Sequence, residues 1–266
     1  MRVVLLAAAA CGLAAAQEPR AIVRRAVQLL DRNLAAARGY AYRERTDSRD
    51  LDWDGHLKTR RVRIYQVTFL EGSPYRRLAG TDDRALSPDE ERDEERRLQD
   101  SIAQRRQETA AQRAKRIEEW EKRQQRQSEA LVEIPEAFNF RIAGEERFLG
   151  RDVWLIEAEP RPGYRPRGTI AKLYPKLRGK LWIDKADGQW LKTEAELTDN
   201  FWWGLFLARL NKGGRFHAEM TRVNGEAWLP GQFGVAVSAR LAVFKKVRVE
   251  TETTFSDYRK LQADPH

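Results

Sequence analysis

The stretch that most limits what this chain can fold into is Gly179-Lys-Leu-Trp-Ile-Asp184, Lys185-Ala-Asp-Gly188, Gln189-Trp-Leu-Lys-Thr-Glu-Ala-Glu-Leu197. Two alternating runs flank an Asp-Gly turn, and glycine there supplies the positive φ that a tight hairpin of twisted strands needs. Antiparallel sheet follows. With unbroken alternation, Leu181 and Ile183 share a face with Leu191, Thr193, Ala195 and Leu197. The other face then carries Lys180, Asp184, Lys192, Glu194 and Glu196 in water, with Trp182 and Trp190 as cross-strand cover.

The same grammar recurs along the chain. Strands are expected at 40–48, 57–70, 75–79, 137–148, 153–159, 180–185, 189–198, 214–223, 226–241 and 242–258, with Asn224-Gly225 as a second strong turn signal. Ahead of them, Ile22, Val23, Ala26, Val27, Leu30 and Leu34 recur at helical spacing, so an amphipathic helix over 18–38 opens the domain and Gly39 ends it. One helix followed by a long meander implies a mainly β (α+β) fold. The sheet is curved and antiparallel, and its greasy face must be covered.

Residues 87–131 break the pattern. They are rich in helix formers and contain no glycine. Ser87 with Glu90 forms a capping box, and Pro88 opens the first turn. Apolar residues are too sparse for a coiled-coil seam, so a long charged helical insertion is expected. It is either a solvated excursion touching the body at its ends or an arm that docks a partner through Trp120.

At the N-terminus, Arg2, an apolar run over 3–16 and small residues at Ala14 and Ala16 read as a secretory signal peptide, residues 1–16. The rival reading makes Cys11, after three alanines, an acylated residue. Cys11 is the single cysteine among 266 residues. The mature domain, 17–266, would then hold no disulfide and no thiol nucleophile. Its net charge is +9, yet no zinc spacing, basic heptad helix or RNP-like strand accompanies that charge, so nucleic acid is not an expected partner. The three histidines, His56, His217 and His266, have no ligand spacing, and no nucleophile elbow or phosphate loop appears. Neither a cofactor nor a metal is expected.

What stands out instead is apolar material. Phe201, Trp202, Trp203 and Phe206 fall in a connection that would ordinarily be polar, and they form a plug, a lid over a ligand, or a wedge for a bilayer or partner. Phe138, Phe140, Trp154, Ile156, Phe216, Met220, Phe233 and Val235 are candidate walls of an apolar groove. The basic loop with Arg161, Arg165, Arg167, Lys172, Lys176 and Arg178 is a candidate for lipid phosphates.

The order of parts, with the Gly150-Arg-x-x-Trp154 strand and the Lys180-Leu-Trp-Ile-Asp184 strand before its Asp-Gly turn, resembles the LolA/LolB-like superfamily. In particular it is similar to uncharacterised acidobacterial proteins described as outer-membrane lipoprotein-sorting proteins. The resemblance implies an unclosed β-barrel covered by helices and a non-catalytic carrier, in the periplasm or associated with the outer membrane, whose ligand is a lipid or lipoprotein acyl chain. Peripheral membrane contact fits that role. The alternative it leaves open is a periplasmic protein-interaction or stress-sensing module that uses the charged helix. The insertion at 87–131 has no counterpart in the familiar carriers.

Overall fold

The computed structural model describes residues 18–203, 208–241 and 245–261. The expected signal segment with Cys11, and Phe206, lie outside the described residues, and Trp203 is described by its backbone alone.

Helix α1 (Pro19–Ala36) starts with proline in its first turn, where the missing N–H costs nothing, and ends in a single 3-10 turn at Ala37–Gly39. Strands β1 (Tyr40–Leu51), β2 (Leu57–Leu70), β3 (Ser73–Thr81) and the two-residue β4 (Arg84–Ala85) follow as a meander. After the helical stretch come β5 (Phe138–Phe148), β6 (Arg151–Pro160), β7 (Leu177–Asp184), β8 (Trp190–Leu197), β9 (Phe201–Trp203), β10 (Ala208–Leu210), β11 (Arg215–Val223), β12 (Ala227–Leu241) and β13 (Lys245–Lys260).

All belong to one sheet in the order β4-β3-β2-β1-β13-β12-β11-β8-β7-β6-β5, with β10 on β12 and β9 on β10. Every pairing is antiparallel. The end strands β4 and β5 do not pair with each other, so the barrel is unclosed. One face is covered by α1, whose Val23, Ala26 and Val27 are buried against Ile156, Leu181, Ile183 and Trp190.

The helical stretch differs from the single helix expected. It is two helices, α2 (Pro88–Gln107) and α3 (Ala110–Ala137), each opened by a capping box. The first is Ser87 with Glu90. The second is Thr109 with Gln112: Thr109 Oγ1 accepts from the Gln112 N–H at 3.3 Å while Gln112 Oε1 accepts from the Thr109 N–H at 2.9 Å. A new helix start is thereby fixed inside a run that helix propensity alone would leave continuous.

The pair joins the two end strands of the sheet; its outer face is in water, and it is clamped to the body at more than its ends. The Arg105 guanidinium donates to the carbonyls of Leu70, Ser73 and Pro74, and Arg116 donates to Ser73 Oγ at 2.6 Å and to the Glu71 carbonyl. Trp120 packs edge-on against Phe69 with Arg38 over its ring, so the proposed anchor is engaged internally. The last turns of α3 are core: Ala130, Glu133, Pro135 and Ala137 are buried, and β5 begins only at Phe138.

The Asp-Gly hairpin also departs from simple alternation. Trp182 faces Lys192 but Ile183 faces Trp190, which leaves Leu191 as an extra residue in β8. That bulge changes which side chains share a face. Trp190 joins Leu181 and Ile183 beneath α1, while Leu191 packs with Trp182, Val153, Met220 and Trp228. Asp184, expected in water, is 2% exposed. It bonds Arg151 and accepts from the N–H groups of Ala186 and Asp187, and so holds the turn.

Two buried carboxylates carry measurable consequences. Burial by itself would raise Glu133, but the Tyr164 hydroxyl and the N–H groups of Arg167 (3.0 Å) and Gly168 (2.8 Å) outweigh it and hold the acid below its usual range. Glu133→Ala strands these donors and should cost about 3 kcal/mol in urea unfolding. Asp184 is likewise depressed, because Arg151 and the turn N–H groups overcome desolvation. Its folded pKa lies below the unfolded value, so its contribution is present above about pH 4 and is lost as pH falls through the depressed value. Asp184→Asn should flatten this acid limb in thermal melts taken across that range.

Candidate functional site

On the face of the sheet that carries Lys180, Lys192 and Glu194, seven strands from β6 to β1 border a trough of about 1080 Å³. It is ionic. Register places Glu157, Lys180, Glu194, His217, Gly234, Glu252 and Asp47 side by side across β6, β7, β8, β11, β12, β13 and β1. A second row runs Arg178, Glu196, Arg215, Ala236, Glu250 and Arg49.

Opposite charges facing across antiparallel strands attract, and the rows use that repeatedly. Arg178 meets Glu196 at 2.9 Å, and Lys192 meets Glu194 at 2.9 Å and Glu219 at 3.4 Å. Asp47 is 5% exposed and is held below the usual carboxylate range first by its bond to Arg60, with Arg49 adding to the effect. Among the lining residues, the carboxylates Asp47, Glu157, Glu159, Glu194, Glu196, Glu219, Glu250 and Glu252 outnumber the cations Arg49, Arg178, Lys180, Lys192 and Arg215 by eight to five. The trough is therefore acidic within a chain of net charge +9.

At its centre, His217 on β11 and Glu252 on β13 meet at 3.1 Å across the intervening β12. Gly234 makes this contact possible. A Cβ there would fall inside the van der Waals envelopes of both His217 Cε1 and Glu252 Oε2.

The sequence-expected apolar residues do not converge on this trough. The Phe138 and Phe140 rings meet tilted at 46° with centroids 6.2 Å apart, and Phe140, Trp154 and Ile156 pack with the cluster beneath α1 and the end of α3. Met220 is buried with Trp182 and Trp228. Phe216 and Val235 are register partners at the trough's margin, and Phe233 beside them is 46% exposed. Phe201 and Trp202 lie on β9, away from both groups in the sheet order, and Trp202 is 49% exposed.

The basic loop is largely answered by acids: Arg161 pairs with Glu136, Arg167 with Glu133, Lys176 with Asp199 and Arg178 with Glu196. Another group, Asp52, Asp54 and His56, lies close enough together to ligate an ion. Its atoms already close the β1–β2 turn, since Asp52 accepts from the His56 N–H at 2.8 Å.

Sequence reasoning missed the trough because its thirteen charged side chains are spread over six strands that only register assembles. The detectable signal was the run of alternating charges in Lys192–Glu196 and Glu250–Glu252. If Gly234 is what lets the pair meet, the coupling between His217→Ala and Glu252→Ala in a double-mutant cycle should vanish in a Gly234→Ala background. Fold stability in that background should change by less than about 1 kcal/mol, since the displaced atoms are side-chain ends.

No protein-family model matches the sequence, and no curated protein matches it. Among solved structures, the chain is similar to an outer-membrane lipoprotein-sorting protein domain, so assigned, from Vibrio parahaemolyticus. That likeness has 14% identity, covers 92% of this chain and 95% of the other, and has a TM-score of 0.35. A LolA superfamily protein from Nitrosomonas europaea is similar at 11% identity, 93% and 95% coverage and a TM-score of 0.31. The MucA/MucB complex of Pseudomonas aeruginosa gives 13% identity, 90% and 99% coverage and a TM-score of 0.23. The likeness spans nearly the whole chain at low TM-scores, and the architecture is established by this chain's own strands and helices.

Proposed function

We propose that the protein is a non-catalytic cell-envelope carrier that holds the acyl chain of a lipid or lipoprotein between the sheet and its helical cover. The observation that carries this reading is the thinness of the cover. Helix α1 buries only Val23, Ala26 and Val27 fully, while Phe140, Ile142 and Trp154 beneath it are only partly buried. Removing such a cover costs on the order of 5–8 kcal/mol of apolar burial, whereas an acyl chain returns about 0.8 kcal/mol per methylene. Roughly ten methylenes offset the displacement. The ionic trough on the other face is unsuited to a hydrocarbon, so the groove candidates under α1 are the site. An exported, periplasmic location rests on the N-terminal segment read as a signal.

A second reading is favoured by the acidic trough. An extended, lysine- or arginine-bearing segment of a partner protein would find carboxylates at strand spacing there, which makes the protein an interaction module.

Organic extracts of the natively purified protein should contain lipid by mass spectrometry, and Phe140→Ala should weaken binding of a pyrene-labelled fatty acid about tenfold. Lipid-free protein that ignores the labelled acid would remove the carrier reading in favour of the module.

A further inference from the structure

Several strand ends come together at one end of the sheet. Leu51 at the end of β1 pairs with Arg248 near the start of β13, Leu241 at the end of β12 pairs with Lys245, and Ala208 at the start of β10 pairs with Leu241. The ends of β1, β10, β12 and β13 at Leu51, Ala208, Leu241 and Arg248 therefore lie side by side.

Register lines up a single row across this end. Trp202 faces Arg209, Arg209 faces Arg240, and Arg240 faces Lys246. Both ends of the row close on an indole, with Arg209 5.4 Å from the Trp202 ring centroid and Lys246 4.8 Å from that of Trp53. Trp202 is 49% exposed and Trp53 52%.

Like charges directly opposite one another in an antiparallel pair repel. Elsewhere on this face cations alternate with acids, as Arg178 with Glu196 and Lys192 with Glu194. Here three cations stand abreast. Among the described residues none of the three has an ion-pair partner, and Arg209 donates to the neutral Asn211 oxygen at 3.2 Å. Asp52 and Asp54 flank Trp53, and Asp52 is engaged by His56.

We infer that this end of the sheet is a docking surface for an anionic lipid bilayer. A plane of phosphates relieves the repulsion along the row, since cations close to an anionic leaflet are attracted to it. The two tryptophans suit the same plane, because an indole presents an apolar body with a polar edge and concentrates at the depth of lipid headgroups. Binding of a surface in this way is separate from holding an acyl chain under α1 and does not depend on it.

The test is co-sedimentation of residues 17–266 with vesicles of phosphatidylcholine alone or mixed with phosphatidylglycerol. The protein should sediment with the anionic vesicles only, and added salt should release it. Substituting Arg209→Gln, Arg240→Gln and Lys246→Gln together should lower partitioning about a hundredfold. The melting temperature should be unchanged or raised, because a repulsion is removed. Trp53→Ser with Trp202→Ser, on exposed side chains, should weaken binding without unfolding the sheet. Equal sedimentation with zwitterionic vesicles, indifference to the triple substitution, or full competition by soluble glycerol phosphate would each overturn the inference. Loss of vesicle binding with copurified lipid retained separates this surface from the acyl-chain site.

Discussion

A sheet that never closes leaves two problems, and the rest of the molecule is arranged around them. Its end strands expose unpaired backbone groups, and one of its faces has no opposing sheet. The chain answers the first with α2 and α3, which run from β4 to β5 and so connect the two free edges. It answers the second with α1, laid over β7 and β8 where Leu181, Ile183 and Trp190 would otherwise face water. Arg105 and Arg116 make the first answer firm, since each spends its guanidinium on carbonyl or hydroxyl oxygens around the β2–β3 turn.

The two faces then divide the electrostatic work. Beneath the helices the sheet is apolar, whereas the opposite face is a lattice of side chains in which acid and base alternate from strand to strand. That lattice is acidic in its middle and purely cationic at the hairpin end, where Arg209, Arg240 and Lys246 stand together. A chain average of +9 hides this polarity. Fields from the two regions oppose each other over a few strand widths, so a charged ligand meets a direction on this face rather than a uniform attraction.

Much of the fold was legible from residue patterns. Gly188, Asn224 and Gly225 sit at positive φ where tight turns were expected, and the Asp187 carboxylate accepts from the Gln189 N–H. The strand boundaries follow the alternation closely. Alternation could not reveal the extra residue at Leu191, because a bulge leaves the sequence period intact and shifts only the pairing. The break at Thr109 was written as Thr-x-x-Gln but was masked by strong helix formers on both sides. The trough was the least legible part: His217 and Glu252 are 35 residues apart, and their meeting depends on an absent side chain at a third position.

One feature of the strand order bears on how the molecule is made. β13, the last of the described strands, lies between β1 and β12 and supplies the seam between the first meander and all that follows the helices. Until residues 245–260 leave the ribosome, the N-terminal meander and the later strands are two incomplete sheets with no common ladder. Such a topology postpones cooperative folding until β13 is made, because its central contacts join distant parts of the sequence. A chain of this kind stays open and threadable for as long as its seam strand is unmade.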